Sequence, residues 1–253
     1  KENTHLYMNV SNPSYLNFYA KQLGDSLSFD RDVMDFNEDI SIREELLGSN
    51  KDYCIIGYSA RLTLPQVYET CKEFYPVILD YKKLNNCAVF LLAKKGESKE
   101  PKQQTITEFK PNSENKNWKF KSEQQYQNFY ITDSTNIYGP DYIFKSENLN
   151  LDFDYYLKLI IDAESGLTNE FTISLTASRN GQAVTNKNGD NIWEGHDLET
   201  MINSSLSNTG YFALSIPEQI LPTDDIQISL WNRNGQPIKI RSIKILAVEN
   251  LWN

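Results

Sequence analysis

The sequence lacks the features that several common classes of binding protein and enzyme require. It has only two histidines and three cysteines, and no two cysteines form a CxxC pair, so a metal site is not expected. No apolar run approaches the roughly 20 residues that cross a bilayer. The net charge of −9 argues against nucleic acid or an anionic membrane surface as a partner, because both favour a basic protein face.

Glycine is missing where a nucleotide-binding turn would need it. The first strand and helix patterns meet at NVSNPSY, residues 9–15, which has no glycine to let the backbone approach a phosphate. No cofactor is therefore expected. No nucleophile lies near a base in the sequence, and Asp224 and Asp225 open a strand pattern, where we interpret them as solvated turn residues rather than a glycosidase pair. We expect that this chain by itself is not an enzyme.

The three cysteines, Cys54, Cys71 and Cys87, are interpreted as small buried apolar side chains. Two alternatives stay open. A Cys71–Cys87 disulfide is possible outside the cytoplasm, although the odd count leaves one thiol over. A cysteine nucleophile is the weaker alternative, because no base accompanies any of the three.

Residues 1–96 alternate between strand and helix patterns. Apolar strand patterns occur at 5–10, 52–58, 76–81 and 87–95, and helix patterns with caps or glycine stops occur at 12–24, 40–48 and 63–76. This order predicts a small α/β domain with a partly parallel sheet.

Residues 97–104 are predicted to be a linker, because the stretch KKGESKEPKQQ around them is polar and charged. Over residues 105–253, eight or nine short apolar strand patterns alternate with turns rich in Asn, Gly, Ser and Asp. That spacing predicts a β-sandwich, jelly-roll-like in type.

Two similar stretches lie in this second part: ISLTASRNGQ at 173–182 and ISLWNRNGQ at 228–236. Each has alternating apolar residues followed by Asn-Gly, which tolerates the positive φ of a tight type I′ turn. We predict two similar hairpins rather than a ligand motif or a duplication. A slip in the alternation after the second predicts a bulge near Arg241–Ser242.

The most unusual stretch is NKNGDNIWEGHDLETM, residues 186–201. Trp193 could stack on a sugar ring while Glu194, His196 and Asp197 hydrogen-bond its hydroxyls. Alternatively, Trp193 fills the end of the sandwich and residues 195–202 form a capped helical turn; we favour this placement. The segment NKNGDN has too few acids for a good calcium loop.

A second candidate group is Trp231 with Asn232 and Arg233. Trp231 follows an inward-facing Leu230, so we expect it on the outer face of the sandwich or beside the turn. A sugar and a neighbouring domain are equal candidates for covering its ring.

Two stretches resemble a known family. Residues 52–95, DYCIIGYSARLTLPQVYETCKEFYPVILDYKKLNNCAVFLLAKK, and residues 221–245, LPTDDIQISLWNRNGQPIKIRSIKI, are similar to the extracytoplasmic C-terminal region of Bacteroidetes-type membrane glycosyltransferases. These belong to the protein O-mannosyltransferase and aminoarabinose-transferase-like superfamily. The family's catalytic acids lie in a loop near its first membrane helices, which has no counterpart here, so the resemblance implies no catalytic residue.

The resemblance implies a non-catalytic periplasmic accessory region, tethered to the inner membrane by helices that precede Lys1. Its partners would be a glycan, glycolipid or acceptor and the membrane helices of the parent protein. The alternative is a secreted carbohydrate-binding or adhesion protein that uses the β-sandwich as its binding module.

The polar segment around residues 97–104 leads to a first prediction. Limited proteolysis should cut the chain there first and release a stable β-rich fragment that begins near Thr105, because few contacts protect a linker. Gel electrophoresis with N-terminal sequencing of the fragments measures this. A single protected core containing all 253 residues would contradict the two-domain prediction.

Overall fold

The structure is a computed structural model that describes residues 3–8, 31–32, 38–59, 65–84, 87–111, 117–119, 129–163, 171–197 and 209–251. The chain divides into two compact units. The first unit contains Lys1–Lys102 and Asn250–Asn253, and the second contains Gln103–Glu249. Among the described residues, no helix is both long enough and apolar enough to cross a membrane.

The first unit contains a five-stranded sheet with both parallel and antiparallel pairs. Its strands are β1 Thr4–Met8, β2 Arg31–Asp32, β3 Tyr53–Ser59, β4 Val77–Leu84 and β5 Cys87–Ala93, and its helices are α1 Glu38–Leu47 and α2 Pro65–Phe74. The strand order is β2-β1-β3-β5-β4. Strand β1 pairs in parallel with β2 and β3, whereas β5 pairs antiparallel with β3 and β4.

The two helices form where the apolar spacing predicts them. Helix α1 buries Ile42 and Leu46, and α2 buries Val67 and Cys71, in each case four residues apart on one helix face. The predicted helix over residues 12–24 lies outside the described residues, so the layered α/β arrangement stays a prediction. Cys71 and Cys54 are buried free thiols, which confirms the apolar interpretation for these two and excludes the Cys71–Cys87 disulfide.

The chain passes from the first unit to the second between Lys102 and Gln103. Part of the predicted linker is bonded to β4: the Lys99 N–H donates to the Ile78 carbonyl at 2.8 Å, and the Ser98 hydroxyl accepts the Ile78 N–H at 2.9 Å. The next strand already begins at Gln103.

The second unit consists of two antiparallel sheets. Sheet I is formed by β6 Gln103–Phe109, β8 Tyr130–Thr132, β10 Tyr155–Ala163, β14 Thr209–Leu214 and β16 Ile238–Glu249. Sheet II is formed by β7 Trp118–Lys119, β9 Tyr138–Phe144, β11 Phe171–Arg179, β12 Gln182–Ala183, β13 Trp193–Asp197 and β15 Asp225–Asn232. A 3₁₀ helix, Ser146–Leu149, follows β9. The orders are β14-β10-β16-β6, with β8 beside β16, and β12-β11-β15-β9-β7, with β13 beside β11.

Side chains from both sheets share one apolar core. Leu157, Leu159 and Ile161 of β10 alternate into it from sheet I, and Ile173 and Leu175 of β11 enter it from sheet II. Because residues two apart in a strand point to the same face, each strand contributes every second side chain to the core. Two sheets packed through one shared core confirm the predicted β-sandwich.

The two RNGQ segments have different structures. In the first, Arg179 pairs with Gln182, and Asn180 and Gly181 have φ of 52° and 78°, which confirms the predicted tight hairpin. In the second, β15 belongs to sheet II and the following β16 to sheet I, so the prediction of a second hairpin is wrong. Gly235 keeps a positive φ of 66°, but it packs against Ser134, whose Cα would lie 2.8 Å from an added Cβ. The pairing of β16 within sheet I therefore prevails over the local hairpin preference.

The predicted bulge in β16 is confirmed. Asp162 of β10 pairs with Ser242 and the next residue, Ala163, pairs with Ile240, so Arg241 is the extra residue. Its guanidinium donates to the Ala163 carbonyl at 3.0 Å. The bulge lets apolar side chains on both sides of it face the core.

Asn232, at the end of β15, joins the two sheets. Its side-chain amide donates to the Thr132 hydroxyl of β8 and to the Gln236 carbonyl, both at 2.7 Å. Only 1% of Asn232 is exposed. A buried amide with these partners stabilises the fold because its loss leaves buried acceptors unsatisfied.

We therefore predict that Asn232→Ala lowers the free energy of unfolding by about 2–3 kcal/mol. Urea denaturation followed by circular dichroism measures the change. Asn148→Ala, at an exposed asparagine, is the matched control and should change stability by less than about 0.5 kcal/mol. Equal stability of the two variants would contradict the cross-sheet role of Asn232.

Candidate functional site

Strand β13 turns Trp193 outward. Trp193 pairs with Thr176 and Glu194 pairs with the core residue Leu175, so the two neighbours face opposite sides of sheet II. Trp193 is 57% exposed. The favoured burial of Trp193 at the end of the sandwich is therefore wrong. The predicted helical turn is also wrong for residues 195–197, because pairing with β11 holds these residues in a strand.

The Trp193 indole lies against the backbone of Gly195. A Cβ added at Gly195 would come within 2.5 Å of two carbons of the ring. The indole therefore occupies the space that a side chain at position 195 would take. The indole is supported by the strand while more than half of the residue's surface stays open to solvent.

Glu194 points away from this surface. Its carboxylate accepts the Ser215 N–H at 2.9 Å, and burial raises the pKa of Glu194 to about 7. The predicted group of Trp193, Glu194 and His196 is thus not assembled, since Trp193 and Glu194 occupy opposite faces. The side chains of His196 and Asp197 lie outside the described residues; in the register, His196 pairs with the core residue Ile173.

A second aromatic position lies on the same outer face. Trp231 pairs with Thr172 on one side and Tyr138 on the other, and the Trp231 and Tyr138 rings stack with centroids 5.8 Å apart. The Arg233 guanidinium lies 5.9 Å from the Trp231 ring. Within the described structure, the buried Trp231 indole N–H has no hydrogen-bond partner. The placement of Trp231 on the outer face agrees with the sequence prediction.

Asn232 does not belong to this surface. It faces inward and uses its amide to join the sheets, so its assignment as a ligand-binding residue is wrong. Sequence reasoning also missed Tyr138, which is 41% exposed. Only the pairing of β9 with β15 places it beside Trp231. No local pattern in YGPDYIF indicates that neighbour.

The outer face between the two aromatic positions is polar. Thr172 and Ser174 of β11 are buried, whereas Thr176, Gln227 and Ser229 are partly exposed. The Gln227 amide donates to the Ser229 hydroxyl at 2.9 Å. Trp193 and Trp231 lie two strands and four residues apart in the register, which corresponds to roughly 17 Å between their Cα atoms.

The two other acid-containing segments have structural roles. Within residues 186–191, the Asn186 side-chain oxygen accepts the N–H groups of Asn188 and Asp190 and closes a turn. The buried Asp224 accepts two hydrogen bonds from Arg179, both of 2.8 Å, and this pair holds the pKa of Asp224 below its usual value. Its interpretation as a solvated turn residue is therefore wrong.

No family model and no curated protein matches the chain. Among solved structures, the chain is similar to a xylan-binding module CBM15, with 9% sequence identity and a TM-score of 0.32. The match covers 59% of this chain and 99% of that module. At this TM-score the similarity carries no weight for function, and the candidate site rests on the geometry of sheet II.

The inward position of Glu194 leads to a prediction about pH. Since its pKa of about 7 in the folded chain exceeds the ordinary 4.5, the folded state retains a proton that the unfolded chain releases in this interval. The free energy of unfolding should therefore fall as pH rises from about 4.5 to about 7, by on the order of 2 kcal/mol. Denaturation at a series of pH values measures this.

Glu194→Gln keeps the side-chain shape without the charge and should remove that part of the pH dependence. Glu147→Gln, at an exposed carboxylate, is the control and should leave it in place. If Glu194→Gln and the unaltered chain have the same pH dependence, Glu194 does not titrate in this interval.

Proposed function

We propose that the β-sandwich binds carbohydrate on the outer face of sheet II, with Trp193 as the stacking platform. The observation that carries this proposal is the exposed indole supported against Gly195. An aromatic ring held in place loses little conformational freedom when a sugar ring covers it. Polar groups beside the ring then fix the orientation of the ligand.

Hydrogen-bonding side chains lie level with Trp193. Thr176 of β11 pairs with Trp193 of β13 on one side and with Gln227 of β15 on the other. All three side chains lie on the outer face. Ser229 continues the row towards Trp231, Tyr138 and Arg233. This arrangement, roughly 17 Å long, exceeds the size of one hexose ring and suits an oligosaccharide with aromatic contacts at both ends.

The expected affinity is low. One stacked sugar ring and two or three net hydrogen bonds contribute about 4–6 kcal/mol, which corresponds to dissociation constants from millimolar to tens of micromolar. Among the described residues, no pair of acids flanks the proposed platform, so we expect the sandwich to bind the glycan without cleaving glycosidic bonds.

We also infer that the sandwich is a jelly roll. Eight of its strands form two sets of four, in the orders β6-β16-β10-β14 and β9-β15-β11-β13. From β9 onwards the chain repeatedly crosses between the two sheets, as in a fold made from two Greek keys. This connectivity supports the finer assignment.

The glycosyltransferase parent, its membrane helices and the periplasmic location stay predictions from the resemblance of residues 52–95 and 221–245. The secreted carbohydrate-binding or adhesion protein stays the alternative. Both use the sandwich to bind glycan. The gene upstream of Lys1 separates them, because several apolar spans would support the first and a lone signal peptide the second.

The platform is tested by NMR titration of the full chain with xylo-, manno- and gluco-oligosaccharides. Trp193→Ala should abolish binding and leave the melting temperature nearly unchanged, because the side chain is mostly exposed. Gly195→Ala should weaken binding strongly as well, because its methyl group displaces the indole.

Leu221→Ala is the matched control, since Leu221 is a large apolar residue, 47% exposed, in a turn outside the platform. It should bind as the unaltered chain does. Unchanged binding by Trp193→Ala would refute this site, and no binding of any oligosaccharide by the unaltered chain would refute the function.

A further inference from the structure

In the first unit, a serine and a histidine that are distant in sequence meet. Ser49 lies in the turn after α1, and His5 lies in β1. The Ser49 hydroxyl oxygen and His5 Nε2 are 2.6 Å apart, although 44 positions separate the residues. His5 is only 8% exposed, whereas Ser49 is half-buried and can be reached from solvent.

Tyr7 and Glu45 lie behind His5. The Tyr7 hydroxyl donates to a Glu45 carboxylate oxygen at 2.9 Å, and the same hydroxyl oxygen lies 3.4 Å from His5 Nδ1. The His5 and Tyr7 rings are nearly parallel, with centroids 5.7 Å apart. Burial, followed by Glu45, raises the pKa of Tyr7 well above its usual value, so the hydroxyl keeps its proton.

These contacts favour one tautomer of His5. Since the Tyr7 proton is directed to Glu45, a lone pair of the Tyr7 oxygen faces His5 Nδ1 and favours a proton on that nitrogen. His5 Nε2 then presents its lone pair to Ser49. In this tautomer the hydrogen bonds run in one direction, from Ser49 to His5, from His5 to Tyr7 and from Tyr7 to Glu45.

Two donors contact Ser49, one at its hydroxyl oxygen and one at its backbone carbonyl. The Lys51 N–H donates to the hydroxyl oxygen at 3.2 Å, and the Lys94 ammonium donates to the Ser49 carbonyl at 2.9 Å. The Tyr75 hydroxyl donates to the Lys51 carbonyl at 3.2 Å and helps to hold the turn. These contacts hold the turn that places the Ser49 hydroxyl beside His5.

We propose that Ser49 is the nucleophile of an acyl-transfer site that hydrolyses carboxylic esters, with His5 as its general base and Tyr7 as a positioning residue. A nucleophile, a base in hydrogen-bond contact and a third group that orients the base form the arrangement that such chemistry requires. The proposal is independent of glycan binding by the second unit. The expectation that the chain is not an enzyme was based on residues that are close in sequence. Ser49 and His5 are 44 positions apart and come together only in the folded first unit.

The reaction proceeds in two balanced steps. The Ser49 oxygen bonds to the ester carbonyl carbon while its proton passes to His5 Nε2; the carbon–oxygen bond to the alcohol breaks, and the alcohol leaves with that proton. Water then attacks the acyl-serine and gives a proton to His5. The bond to the Ser49 oxygen breaks, Ser49 recovers the proton, and a carboxylic acid is released. Ester and water thus yield alcohol and acid.

A fluorophosphonate probe, which reacts with activated serines, tests the proposal on the full chain. Intact mass and peptide mapping should locate the probe on Ser49, and the chain should hydrolyse p-nitrophenyl acetate. Ser49→Ala should abolish both reactions, and His5→Gln should slow them by about 100-fold or more. Ser134→Ala, at an exposed serine of the second unit, is the matched control and should change neither.

The positioning role of Tyr7 has its own readout. Tyr7→Phe should keep the label on Ser49 but slow labelling by roughly tenfold, and it should change the pH profile of the rate, because the orientation of His5 is lost. An unchanged rate and profile would remove Tyr7 from the mechanism.

Absence of label on Ser49 in the unaltered chain would overturn the proposal and show that the hydrogen bonds only join α1 to β1. Peptide mapping of the unaltered chain decides this even if a variant fails to fold. Equal labelling rates in folded His5→Gln and the unaltered chain would equally overturn it.

Discussion

Alternation of side chains along paired strands is the constraint on which the second unit depends. Once Ile173 and Leu175 of β11 enter the core, each paired position on β13 and β15 is committed to one face. Trp193 must then face solvent and Glu194 must face inward. A shift of one residue in the register would exchange them, bury an indole against the core and expose the carboxylate. The apolar core therefore determines, through the strand register, which side chains lie on the outer face.

The core also explains why polar groups behave differently on the two sides of sheet II. The register places Glu194 and Asn232 inward, where a polar group without a hydrogen bond is costly. Glu194 accepts a hydrogen bond from Ser215, and Asn232 donates to Thr132 and Gln236. Thr176 and Gln227 point outward, where water can satisfy their polar groups. Both side chains are partly exposed, and the Gln227 amide donates to the Ser229 hydroxyl. The groups that stabilise the fold and the proposed binding groups thus lie on opposite faces of the same strands.

The first unit brings its polar groups together in another way. Parallel pairing sets Thr4 of β1 beside Tyr53 of β3, and the turn after α1 leads into β3, so the start of β1 lies near that turn. His5 and Ser49 become neighbours at this end of the sheet. Arg43 and Glu73 join α1 to α2 through contacts of 2.6 and 2.9 Å. Helix α1 is thereby joined to α2 by the Arg43–Glu73 salt bridge and to β1 by the hydrogen bond from Tyr7 to Glu45.

Local periodicity in the sequence determined most strands of the sandwich, both described helices, the bulge at Arg241 and the first Asn-Gly hairpin, because each depends on residues within a few positions of one another. Only the tertiary structure decided the rest. The second RNGQ segment leads from sheet II to sheet I because β16 pairs with strands that are far from it in sequence. Trp193 is exposed because β13 pairs with β11. Ser49 contacts His5 although 44 positions separate them. Such pairings depend on which strands become neighbours, and that choice is made by burial of the whole core rather than by any short segment.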